Sequence, residues 1–271
     1  MVRTRFLMLL LLLPLSLALS ASALRAQGAV YRDKNGKLHI GDTPPAGQGH
    51  TVVEPSRGGY NAPRSSTTWA WVPVPLAFVG LGTQETRSPQ ELYETLNKSV
   101  WTVIAAASAS TLERGGQVSQ GSAVAVSQDT LLTNCHVVQG RPYIVVRQMK
   151  TEYKASVVSG DVTHDRCVLA LDVQVLEPVP GHRTFASLAV GEKVYTLGSP
   201  KGLANSMGEG LISGLREVKG RHFVQTTAQV SPGSSGGGLF DPAGNLIGIT
   251  VLKIQGGEGL NFAIAVEDYT R

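Results

Sequence analysis

Charge is scarce in this chain. Asp, Glu, Lys and Arg make up 16% of its 271 residues, against roughly a quarter in an average globular protein, which argues against a coiled coil and a charged disordered tail. The 24 basic and 20 acidic residues are scattered, with no Lys/Arg block and no aromatic-basic interleaving. Nothing is built to neutralise a row of phosphates, so nucleic acid is not an expected partner. Beyond the N-terminus no segment is apolar enough to span a membrane. Cysteine is nearly absent, with Cys135 and Cys167 the only two. In excess is glycine, at 31 residues, and the length suffices for one large or two smaller domains with a real core. Short strands joined by glycine turns fit that composition.

The N-terminus carries the one long apolar stretch. Arg3 and Arg5 precede a run from Phe6 to Leu13 that continues past Pro14 to Leu19, and Ala21-Ser22-Ala23 or the stretch ending at Ala26 offers a cleavage site. This is the pattern of a secretory signal peptide over residues 1–26. Pro14 and Ser16 interrupt the run, which falls short of the ~20 apolar residues of a spanning helix, so no stable membrane insertion is expected after cleavage. The expected location is periplasmic or secreted, where the two cysteines are able to pair.

Residues 27–43 contain AVYRDKNGKLHIGDT, which reads as a small β-hairpin turning at Asn35-Gly36. It resembles a short module of unestablished function at the N-termini of many exported proteobacterial proteins, and that resemblance points to export from a Gram-negative cell, not to a chemistry. Residues 44–88 are rich in Pro, Gly and Ser and read as a linker. Trp69 and Trp71 stand out in it as candidates to pack on the next domain. Ser88-Pro89-Gln90-Glu91 is a capping box that opens a helix to about Asn97. The period then shortens. WTVIAAA, GSAVAVS, TLLTN, YIVVRQ, KASVVSG, CVLALDV, KVYTLG, HFVQTT, NLIGITVL and NFAIAV are separated by turn residues, the pattern of an all-β sandwich or barrel.

The strongest chemical signal is Gly233-Ser234-Ser235-Gly236-Gly237. A nucleophilic serine needs its hydroxyl on a tight turn whose backbone N–H groups face the developing oxyanion, and flanking glycines permit that approach. The ordinary alternative is a flexible glycine-serine loop. His136, in Leu131-Leu132-Thr133-Asn134-Cys135-His136-Val137-Val138, ends an apolar strand, and Asp165 opens another about 30 residues later. The order His, Asp, Ser is one of several convergent triad orders.

With GSAVAVS, LLTNCHVV, HDRCVLAL, TLGSPKGL, ISG, QTTAQVSPGSSGGGLFD, GNLIGI and NFAIAV in order, residues 89–271 resemble trypsin-like serine proteases, most closely the bacterial HtrA/Deg-type branch. The resemblance implies two six-stranded antiparallel β-barrels with the active site in the cleft between them. It also implies a serine endopeptidase working through an acyl-enzyme. The catalytic residues would be His136, Asp165 and Ser235, and the oxyanion hole the N–H groups of Gly233 and Ser235. Substrates would be polypeptides, and no cofactor and no metal is expected. Three features depart from the family: Ser234 replaces the usual Asn or Asp, Arg166 replaces an apolar residue after Asp165, and the chain leaves no room for a PDZ domain after NFAIAV. By resemblance, Gln229 lies at the base of the primary specificity pocket, Val251, Leu252 and Lys253 line one wall, and Asn261 lines the other. With no acid at the base and Asn261 in place of a glycine, small P1 residues are favoured over basic or aromatic ones.

Two other readings compete. Cys135, His136, His164 and Cys167 have the composition of a zinc site, but neighbouring residues on a strand point to opposite faces, which sets Cys135 against His136 as joint ligands. A non-catalytic binding or chaperone-like protein on a protease fold is the second. The strand geometry also directs Cys167 to the same face as Asp165, towards Cys135, so a Cys135–Cys167 disulfide is expected, with two separate buried thiols as the alternative.

Overall fold

The computed structural model describes the backbone of residues 29–32, 38–41 and 51–52, and residues 68–75, 85–199, 205–253 and 261–271. The first strands, β1 (Ala29–Arg32) and β2 (Leu38–Gly41), pair antiparallel in the register Ala29↔Gly41 to Arg32↔Leu38. The Asn35-Gly36 turn lies outside the described residues. A third strand, β3 (Thr51–Val52), joins the free edge of β1, so the small sheet draws on the stretch read as linker.

The helix α1 (Pro89–Leu96) starts as its sequence dictates. Ser88 Oγ accepts from Glu91 N at 3.3 Å while Glu91 Oε2 accepts from Ser88 N at 2.9 Å. These bonds satisfy two of the N–H groups that a helix start leaves orphaned.

Two closed six-stranded antiparallel barrels come next along the chain, as the resemblance implies. The first comprises β4 (Val100–Ala106), β5 (Val118–Ala125), β6 (Thr130–Thr133), β7 (Tyr143–Gln148), β8 (Thr151–Asp161) and β9 (Arg166–Ala170), in the order β4-β5-β6-β9-β8-β7. Short helices α2 (Ala109–Glu113) and α3 (Cys135–Val138) are inserted in its connections. The second comprises β10 (Lys193–Gly198), β11 (Ser206–Val218), β12 (Arg221–Thr226), β13 (Gly238–Phe240), β14 (Leu246–Lys253) and β15 (Asn261–Ala265), in the order β10-β11-β12-β15-β14-β13. A 3₁₀ turn, Val266–Thr270, closes it.

Apolar residues sort into three clusters. Trp101, Val103, Leu131, Val146 and Leu169 fill the first barrel, and Val194, Ile212, Val224 and Ile247 the second. The third straddles both, with Leu92 and Leu96 of α1, Val124, Leu132, Tyr195, Phe240, Ile249 and Tyr269 all nearly inaccessible. Burial of such side chains stabilises by about 1.5–3 kcal/mol each, so Leu92 and Leu96 anchor α1 to the junction of the barrels.

Cys135 and Cys167 form a disulfide with Cα atoms 4.8 Å apart. The expected bond is present, but not for the expected reason. Cys135 and His136 sit on the single helical turn α3, not on a strand, and Asp165 precedes β9 with φ of +57°. What aligns the sulfurs is the β6–β9 pairing, which sets Thr133 opposite Cys167 two residues before Cys135. The bridge spans 32 residues. Replacing both cysteines with Ala should lower the unfolding free energy by about 3–4 kcal/mol on the chain-entropy account. An unchanged urea midpoint would refute that expectation.

Candidate active site

The site is assembled at the junction of the barrels. The chain leaves β6 at Thr133, whose hydroxyl donates to Ser122 O at 2.7 Å, and turns at Asn134 into α3. This places His136 beside Asp165. The backbone N–H of His136 donates to Asp165 Oδ1 at 2.9 Å, and its ring Nδ1 lies 2.7 Å from Asp165 Oδ2. Both carboxylate oxygens are thus engaged by one residue. Since a carboxylate only accepts, Nδ1 carries the proton and the neutral ring presents Nε2 as a base. The other candidate acids face elsewhere: Asp161 pairs with His164 and Arg166, and Asp172 is exposed.

The serine turn comes from the second barrel. Ser234 N donates to Ser231 O at 2.9 Å, and Gly237 N to Ser234 O at 2.8 Å. Thr250 Oγ1 donates to Ser234 O at 2.7 Å. Ser234 is buried within the turn while Ser235 is half-exposed. Gly233 has φ of +95°, and its carbonyl is held by the Ser122 hydroxyl at 2.9 Å. Among the described residues, the N–H groups of Gly233 and Ser235 have no acceptor. Two unpartnered N–H groups two residues apart on one tight turn can receive an oxyanion. The Ser235 hydroxyl donates weakly, at 3.4 Å, to Val251 O.

Gly121 shows how closely the barrels meet. A Cβ there would lie 2.7 Å from the Val137 side chain and 2.9 Å from the Ser235 carbonyl. Ser122 N also donates to Ser235 O at 2.8 Å. The residue after His136 and the serine turn therefore press on the same point of β5. Ser122 and Asn134, whose amide donates to the Asp165 carbonyl at 3.2 Å, were not singled out in the sequence. Their partners lie 111 and 31 residues away, and no local pattern signals such bonds.

The pocket residues are arranged less uniformly. Gln229 is exposed and its carbonyl accepts from Thr196 Oγ1 at 3.0 Å. Val251 is half-buried where the β14–β15 register shifts between Thr250 and Leu252. The Leu252 and Lys253 side chains lie outside the described residues, their backbone pairing with Phe262 and Asn261. Asn261 is buried, with Nδ2 donating to Ala228 O at 2.8 Å and Oδ1 unpartnered.

Electrostatics favour a basic imidazole. Burial of its packed face works against the charged form of His136, but the hydrogen bond and charge of Asp165 outweigh it, and the pKa is raised above its ordinary value. The ring edge stays open, with 46% of the side chain exposed. The sign is that of a group stabilised when protonated: His136 stabilises the fold below its unfolded pKa, and that contribution is lost as pH rises through the folded one. If His136 is the base, kcat/KM should rise with pH through a midpoint above about 6.5. A midpoint well below that value would mean that Asp165 does not control the ring.

The zinc reading is overturned by the disulfide, since both of its thiolate ligands are spent on each other. Among the described residues, the cluster of His222, Glu267 and Asp268 also brings potential ligand atoms together. Its carboxylates are already bonded: Asp268 accepts from His222 N and Nδ1 at 2.8 Å each, and Glu267 accepts from Phe185 N and Arg271.

Two closed barrels with a His-Asp pair on one and a glycine-flanked serine on the other, meeting at their junction, define the trypsin-like serine protease fold. Residues 121–249 match the trypsin-like peptidase domain family, and residues 8–68 match a domain of unknown function (DUF4124). The serine endoprotease DegS of Haemophilus influenzae is 36% identical over 160 residues, covering 54% of this chain and 47% of DegS. A probable periplasmic serine endoprotease, DegP-like, of Pseudomonas savastanoi is 37% identical over 162 residues, covering 55% of this chain and 33% of that protein. Among solved structures, the HtrA-type protease AlgW with tripeptide superposes with a TM-score of 0.59 at 30% identity, covering 68% of this chain and 61% of AlgW. The serine endoprotease from Yersinia pestis gives 0.59 at 28%, covering 69% and 65%. The two-barrel unit therefore has the trypsin-like serine protease fold and is similar to proteases of the HtrA type. The chain spans a third to a half of the curated relatives' lengths. No helix among the described residues is long and apolar enough to cross a membrane.

Proposed function

We propose that the protein is a serine endopeptidase that cleaves exported or misfolded polypeptides in the periplasm, through an acyl-enzyme on Ser235. The observation that carries this reading is the double engagement of Asp165 by His136, which leaves Nε2 as the ring's free base. Rotation of the Ser235 side chain exchanges its weak bond to Val251 O for one to His136 Nε2; catalytic hydrogen bonds are often loose before substrate binds. His136 then takes the hydroxyl proton as Ser235 attacks the peptide carbonyl, and returns it to the leaving amine. The free N–H groups of Gly233 and Ser235 receive the oxyanion. Burial of Ser234 supports Ser235 as the nucleophile. The buried Asn261 amide, fixed against the Ala228 carbonyl, supports a shallow pocket and small P1 residues. The signal-peptide pattern and the relatives' names support export.

The Ser235 hydroxyl, turned to Val251, is the one feature that favours a binding protein or a latent enzyme instead. A fluorophosphonate probe separates the readings. Wild-type protein should be labelled, Ser234→Ala should keep the label and Ser235→Ala should lose it. Unlabelled wild type at any pH would favour the binding reading.

A further inference from the structure

The chain has an arginine directly after Asp165 and two tryptophans in a stretch otherwise rich in proline, and the triad chemistry uses neither. Arg166 and Trp71 meet behind the site. Arg166 is 9% exposed. Its guanidinium donates to Asp161 Oδ2 at 3.0 Å and to the Asp268 carbonyl, and lies 4.2 Å from the centroid of the Trp71 ring. Trp71 is itself fixed. Its indole N–H donates to the Arg271 carbonyl, and its ring meets Tyr269 edge-on at 6.3 Å. The backbone around it is tied to β8: Val72 N donates to Ser159 Oγ at 2.6 Å, Ser159 Oγ donates to Val72 O at 2.8 Å, and Gly160 N donates to Ala70 O at 3.2 Å. Val74 N donates to Tyr269 O at 2.9 Å. Residues 68–75 thus form a strap across the end of β8 and the closing turn of the second barrel, with Arg166 underneath it.

Asp165 needs such support. Its φ of +57° lies in the left-handed region, which Asp tolerates better than most residues but still at a cost, and such a conformation is held by its surroundings. Its carboxylate cannot help, because both oxygens are spent on His136. The backbone constraint comes from the Asn134 amide on the Asp165 carbonyl at 3.2 Å and from its chain neighbours. On one side His164 is bonded through its N–H and its ring to Asp161. On the other, Arg166 is bonded to the same Asp161 carboxylate, which these hydrogen bonds hold below its ordinary pKa despite burial. A buried guanidinium is stable only with partners, and here the Trp71 face supplies the side that no carboxylate covers.

We infer that Trp71 and Arg166 are positioning residues for the triad: the strap clamps Arg166, and Arg166 with Asp161 holds Asp165 in the conformation that aims both of its oxygens at His136. The inference rests on the triad reading above, and it makes residues 68–75, which precede the protease domain, a working part of the site. The titratable and charged groups facing this cluster are Asp161, His164, His136, Asp268 and Tyr269, with His222, Glu267 and Arg271 around Asp268.

The test is an NMR titration of the His136 ring in ¹⁵N-histidine protein carrying Ser235→Ala, which needs no turnover and prevents self-cleavage. Adding Trp71→Ala should move the His136 midpoint down towards an ordinary histidine by about half a pH unit or more. With Ser235 present, the same substitution should lower kcat about tenfold at unchanged KM, the effect of a misplaced base. Trp71→Phe, which keeps an aromatic face, should restore both to within about twofold. Arg166→Lys should reproduce the loss, because an ammonium cannot bridge Asp161 and the Asp268 carbonyl as a fork does. It provides the same readout should Trp71→Ala not fold. A folded Trp71→Ala or Arg166→Lys protein with wild-type His136 titration would overturn the inference. An inactive wild type with the expected titration shifts would count against the protease reading alone.

Discussion

Asp165→Asn is expected to lower kcat by about 10⁴-fold while leaving the fold in place. The direction of the amide is dictated by the backbone. His136 N–H is a fixed donor 2.9 Å from Asp165 Oδ1, so the Asn carbonyl must take that position and its NH₂ must face the imidazole. Nδ1 then has to accept, which puts the ring proton on Nε2 and leaves no base for Ser235. The raised pKa of His136, which depends on the Asp165 hydrogen bond and charge, should fall at the same time. Steady-state kinetics with a casein-derived peptide, together with circular dichroism of the variant, reads the effect. A folded variant that keeps a tenth or more of wild-type kcat would remove Asp165 from the triad.

Gly236→Ala should cost the protein its fold. Gly236 has φ of +87°, and a Cβ on it would lie 1.9 Å from the Ser122 carbonyl oxygen and 2.5 Å from Thr133 Oγ1. Its N–H donates to Thr250 O at 2.8 Å, so the turn cannot slide away without breaking the link to β14. Overpacking against backbone and an unfavourable φ add to an expected loss of about 4 kcal/mol or more. Gly191→Ala is the control, since φ is also positive there but nothing lies within 4 Å of the added methyl. Thermal unfolding of the two variants separates the steric from the dihedral contribution. Equal, small losses would mean that the serine turn is more plastic than its hydrogen bonds indicate.

The sequence was legible wherever a local rule sufficed. Alternating Val, Ile and Thr runs between turn residues marked most of the barrel strands, and Ser88 to Glu91 marked the start of α1. The longest strand, β11, escaped because its Gly208, Gly210 and Gly214 break the apolar alternation. At Gly210 the reason is remote: a Cβ would lie 2.2 Å from Ala228 N, a clash that no window of sequence contains. The candidate His-Asp-Ser set came from motif and order, and the fold pairs its His136 with its Asp165. Its supports were not legible, because Ser122 and Trp71 act on residues far along the chain and the clamp on Arg166 comes from Trp71 and the Asp268 carbonyl. Arg166 did register as a departure from the family pattern, and Trp71 as an oddity in a linker. Each was half of one contact, and only the fold joined them. The disulfide carries a further lesson, since its expected pairing held although α3 replaced the strand on which the argument relied.

The apolar cluster that straddles the barrels bears on how the domain moves. Domains that meet through small polar faces rock against each other by default, whereas a large hydrophobic contact suppresses that motion. Here Leu92, Leu96, Leu132, Tyr195, Phe240 and Tyr269 interlock across the junction at very low exposure, and interiors packed this densely do not deform continuously. The two barrels are then expected to move as one body. On the protease reading proposed above, a bulky polypeptide would gain no entry by prising the halves apart, and adjustment to different chains would fall to the loops at the rim.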